Sequence, residues 1–138
     1  MKNNHTLYSD NEFERAFKSC DLPPDLFTHE AHIRLAWIHL NKYGELDAIN
    51  NILEDIRRFD NTFGNGNKFH KSITVAAVKT VKHFISKSVW LTFEEFIESN
   101  PKLLTSFSDL ILYHYSKDAI FSEKAKTEYV EPDLIPFI

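Results

Sequence analysis

Thr28-His29-Glu30-Ala31-His32 sets two histidines three residues apart at the start of an amphipathic stretch. On a helix such residues share a face, with Cβ atoms roughly 5–6 Å apart. Two imidazoles at that spacing can reach one ion, since zinc–nitrogen bonds are about 2.0–2.1 Å. Glu30 projects elsewhere, so the segment offers two ligands rather than three. A third candidate, His70, opens a later helical stretch, with Thr74 one turn on and on the same face. Neutral imidazole is both a common metal ligand and a general base near neutral pH. A helix N-terminus favours that neutral form through its dipole.

The elements that must position these residues are legible from caps and periodicity. Ser9 and Glu12 have capping-box spacing, predicting a helix from Asp10 to about Cys20 with Phe13, Ala16 and Phe17 on its apolar stripe. Leu22-Pro23-Pro24-Asp25 breaks the chain. A second helix follows from Thr28 to about Tyr43 and ends at Gly44. A third, Glu45 to about Phe59, carries Leu46, Ile49, Ile52, Leu53 and Ile56 at helical spacing. Asn61-Thr62-Phe63-Gly64-Asn65-Gly66-Asn67 reads as a loop. A fourth helix is expected over about Phe69 to Ser86, and a fifth is capped by Thr92 with Glu95 and stops before Pro101. Ser106 to Tyr115 gives a sixth, and Ser116 to Tyr129 one or two short turns. The segment from Glu131 to Ile138 reads as an extended tail docked through its apolar residues. The expected fold class is all-α: one domain, 1–138, a compact helical bundle of about five to seven helices.

Connection lengths suggest which residues meet. Gly44 makes helices two and three antiparallel neighbours, and the Asn/Gly loop reverses the chain again. Helices two and four would then begin at the same end, bringing His29, His32, His70 and Thr74 together. The end of helix three would add Arg57, Arg58 and Asp60. Asp60 suits a carboxylate ligand or an acceptor for a ring N–H, and the arginines suit an anionic ligand. His39 lies seven residues past His32, about 10.5 Å along the axis, too far to share an ion. His5 falls in a polar N-terminal segment read as mobile, His83 reads as solvated, and His114 lies among aromatics that line a pocket or pack in the core.

Composition excludes several function classes. Sixteen basic against 20 acidic residues give a net charge of −4, with no basic footprint for nucleic acid. Cys20 is the single cysteine, so no intramolecular disulfide forms and a reducing, cytoplasmic setting is expected. The polar start has no signal-peptide core, and no apolar run approaches the ~20 residues of a membrane span. There is no phosphate-binding loop and no His-Glu-x-x-His metalloprotease motif.

Phe27-Thr28-His29-Glu30-Ala31-His32-Ile33-Arg34-Leu35-Ala36-Trp37, together with Phe69-His70-Lys71-Ser72-Ile73-Thr74, resembles an uncharacterised family of small bacterial all-helical proteins sharing FTHxxHxxxAW and HxxxT motifs. Tyr115-Ser116, Phe121-Ser122 with Ala125, and Glu131-Pro132-Asp133-Leu134 extend the likeness from about Phe13 onward. The resemblance implies that His29, His32, His70 and Thr74 matter more than His5, His39 or His83. It implies no reaction. Phe69 stands where that family has tyrosine, so no hydroxyl role is expected there.

Three readings remain at this level. The leading one is a divalent metal (zinc, iron, nickel or manganese) on His29, His32 and His70, with an open position for a small substrate. The second is a non-enzymatic module binding a small anion or a partner through the histidines and Arg57 or Arg58. The third is a structural polar cluster that satisfies helix starts.

Overall fold

In the computed structural model, which describes residues 4–89 and 92–137, all regular structure among the described residues is helical, as the periodicity predicts. Contacts group the chain into two compact units, Met1–Phe69 and His70–Ile138.

The first unit begins with a short 3-10 turn, His5–Leu7, followed by α1, Asp10–Lys18. The Ser9 hydroxyl accepts from Glu12 N at 3.1 Å and the Glu12 carboxylate from Ser9 N at 2.9 Å, completing the expected capping box. The helix ends in a reciprocal pair of backbone bonds, Asp21 N to Ala16 O at 2.8 Å and Cys20 N to Phe17 O at 3.1 Å. This is a Schellman ending, and it puts Cys20 at φ 58°, a conformation usually left to glycine. Thr28 caps α2, His29–Tyr43, by accepting from Ala31 N at 3.2 Å. Gly44, at φ 87°, turns the chain directly into α3, Glu45–Phe63; open space surrounds it, so conformation is what calls for glycine there. The helix α3 packs along α2 and touches α1. It runs one turn beyond the expected end, through part of the segment read as a loop. The Phe63 ring packs 4.8 Å from Phe59, and Gly64 N donates to Asp60 O at 2.8 Å, so local contacts outweigh poor propensity.

Phe13, Phe17, Leu22, Ile33, Leu35 and Ile52 form the buried centre of this unit. Beside them Phe17, Phe27 and Phe59 stack, with Phe17 4.4 Å from Phe27 and 4.6 Å from Phe59.

The second unit starts with α4, Lys71–Ile85, then α5, Phe93–Ser99, and α6, Lys102–Thr105, a turn that begins on Pro101 and that periodicity does not announce. It continues through α7, Phe107–His114, α8, Lys117–Ile120, and α9, Glu123–Thr127. Ala76, Ile111, Tyr115 and Ile120 are buried together, with Ile73, Phe107, Val130 and Phe137 against them. The extended tail docks as expected, through the apolar Phe137 and through polar anchors as well. Tyr115 Oη donates to Val130 O at 2.8 Å, and Asp133 accepts from Ser116 N at 2.8 Å and Ser116 Oγ at 2.6 Å. Asp133, exposed on the surface, is therefore a tether for the tail. No helix among the described residues is long and apolar enough to cross a membrane.

Candidate functional site

The first turn of α2 presents the opening pair as its spacing requires. His29 and His32 are both exposed, and His29 lies close enough to disfavour the charged form of His32. The His32 ring stacks on Phe27 at 3.7 Å, so the aromatic cluster fixes one of its faces. Apolar crowding on that side, and then the neighbouring His29, push its pKa down to about 4. More than a third of His32 still reaches solvent, so water screens part of that effect. His32 is neutral at physiological pH, exposed, with its ring plane set by the stack on Phe27.

His70 has a different fate. It caps α4: Nδ1 accepts from Ile73 N at 3.1 Å, which leaves Nε2–H to donate to Ile120 O at 2.9 Å. Both nitrogens are used inside the second unit, and a metal on either would displace a bond. Burial lowers its pKa, opposed by the Ile120 carbonyl, in keeping with a neutral cap. Thr74 Oγ1 donates to His70 O at 2.8 Å, so its hydroxyl proton returns to the helix backbone.

The residues expected from the end of α3 are also engaged. Asp60 Oδ2 accepts from Lys68 N and Phe69 N, each at 3.0 Å, closing the loop after α3. Gly64 fits this closure because a Cβ there would lie 2.7 Å from Asp60 Oδ1. Arg58 donates to Glu54 at 3.0 Å, Asp55 at 3.1 Å and Lys18 O at 3.0 Å. Arg57 is exposed, its guanidinium 4.9 Å from the Phe69 ring. Among the described residues, no group of three or more His, Cys, Asp or Glu side chains is arranged to hold a metal ion. The pair on α2 supplies two imidazoles, fewer than such a group needs.

Two histidines set aside in the sequence reading are among the most buried. His5, expected in a mobile segment, is 1% exposed. Its Nε2 lies 2.7 Å from Glu30 Oε1, and Arg34 Nη1 reaches its Nδ1 at 3.3 Å. Arg34 also donates to His5 O at 2.7 Å, Tyr8 O at 2.8 Å and Asp10 Oδ1 at 2.9 Å, and packs on Phe13. This network ties the N-terminal turn to α2 and explains where Glu30 points. His39 is 2% exposed. In the second unit, His114 stacks on Phe137 at 4.0 Å and bonds Ile135 O at 2.7 Å, holding the tail.

Nothing in local spacing marks the His5–Glu30–Arg34 network. Its members are 25 and 29 residues apart. Compared with known proteins, the chain matches no family model, no curated protein and no solved structure.

Proposed function

We propose that the first turn of α2 is an open two-histidine site for a divalent transition metal or a small ligand, held by His29 and His32. What supports it most is the state of His32: neutral at physiological pH, oriented by Phe27 and exposed beside a second exposed histidine. With two protein ligands, water or a donor from a small substrate fills the remaining positions. A metal held so openly would supply Lewis-acid or hydroxide chemistry. Imidazole suits zinc, iron and nickel and does not separate them from manganese by type alone. Because His70 is engaged at both nitrogens, this reading rests on the α2 pair and leaves His70 to its cap.

Calorimetric titration of zinc and of nickel into untagged protein tests the proposal. The expected result is saturable binding that His29→Ala and His32→Ala each weaken at least about tenfold, roughly 1.4 kcal/mol. No uptake by the unmodified chain, or equal uptake by all three, overturns it.

A second reading, that the histidines serve structure, is favoured by the engagement of His5, His70 and His114 with backbone or buried partners. It predicts that the α2 pair behaves as they do. An anion-binding module would draw on Arg57, since Arg58 is already shared among three acceptors. We further read the chain as a bacterial cytoplasmic protein, on the lone Cys20 and the motif resemblance, with no nucleic-acid partner given its acidic balance.

A further inference from the structure

His39 lies in the C-terminal half of α2, 2% exposed, and neither of its ring nitrogens has a hydrogen-bond partner among the described residues. A neutral imidazole carries one donor and one acceptor, and native structures rarely bury both unpaired. The neighbours explain why. From α1, Glu14 and Lys18 face the ring; from α2, Lys42 and Tyr43; from α3, Asp55. Glu14 already accepts from Lys42 Nζ at 2.7 Å and from the Tyr43 hydroxyl, and Asp55 accepts from Arg58 at 3.1 Å. Both carboxylates near the ring are thus held by other donors, and the buried imidazole has neither of them as a hydrogen-bond partner.

We propose that His39 is an acid-sensing latch of the first unit, in which proton uptake by the ring loosens the packing of α1, α2 and α3. A charged imidazole cannot stay unpaired in that position. It must either reach water or draw Glu14 from Lys42 and Tyr43, or Asp55 from Arg58. Each route breaks a contact that joins two turns or two helices. Burial holds His39 below the ordinary histidine value, opposed by Glu14 and Asp55 and reinforced by Lys42 and Lys18. In the unfolded chain the ring titrates at about 6.5. Above that pH both states are neutral and the full stability is present. As the pH falls below it, the unfolded chain takes up the proton first. Stability is then lost until the lower folded-state value is passed.

The test is a denaturant-unfolding series on the full chain from about pH 7.5 to about pH 5, across the ordinary histidine range. It compares the unmodified protein with His39→Leu and His39→Gln, and follows the His39 ring resonances by NMR in the unmodified chain. The expected result is a midpoint that falls on acidification, a shallower fall in both variants, and a His39 ring that titrates below 6.5. His32 contributes a slope of its own, which the His39 variants leave in place. An undiminished fall in a folded His39 variant overturns the latch, as does a His39 ring that titrates at or above 6.5. The ring titration decides the matter if neither variant folds.

Discussion

His32 and His5 belong to the same unit and lie on or against the same helix, yet physics has given them opposite tasks. His5 is enclosed, and its two nitrogens are divided between Glu30 and Arg34. His32 leans one face on Phe27 and is exposed as a residue. An imidazole becomes a candidate ligand when a nitrogen is uncommitted and the ring is neutral. Proximity in sequence to other histidines is a poor guide to either condition. Burial alone is no guide either, since His39 is buried and unpaired while His5 is buried and fully paired.

Substitutions at the two places should separate them by size of effect. Arg34→Met is expected to cost the most, about 3 kcal/mol in chemical denaturation. It leaves the carbonyls of His5 and Tyr8 without their donor and uncouples the N-terminal turn. Phe27→Ala comes next, at about 2 kcal/mol, because it opens the stack with Phe17 and Phe59 from a partly exposed position. The same change should let the His32 pKa rise from about 4 toward the ordinary value, read by ring NMR, because its apolar support is gone. Cys20→Gly should stabilise by about 1 kcal/mol, since glycine takes φ 58° without the strain a side chain meets. His29→Ala should change stability least, within about 0.5 kcal/mol, as exposed substitutions do. A loss of about 1–3 kcal/mol at His29 would instead move it into the structural class with His5.

The helix starts were the most legible part of this fold. Ser9 with Glu12, Thr28, Thr92 with Glu95, and Ser116 all cap where their chemistry predicts. Helix ends were less so, because they depend on contacts beyond the local pattern. Phe63 on Phe59 extends α3 past a segment rich in turn formers, and Pro101 begins a turn instead of only ending one. At the candidate site the His29–His32 spacing carried over directly. The tasks of Asp60, Arg58 and His70 did not, since each turns on a backbone or side-chain partner that no periodicity reports. Arg34 was invisible for the same reason. It reads as one more polar residue on α2 until the His5–Tyr8 turn folds back over it.

The most direct test of this division is ring-nitrogen NMR of all seven histidines during a zinc titration of the untagged full chain. The account predicts that the His29 and His32 signals shift together and saturate, while those of His5, His39 and His70 stay where they were. Shifts at His70 or His5 equal to those at His32, or no saturable shift at the α2 pair, would contradict it.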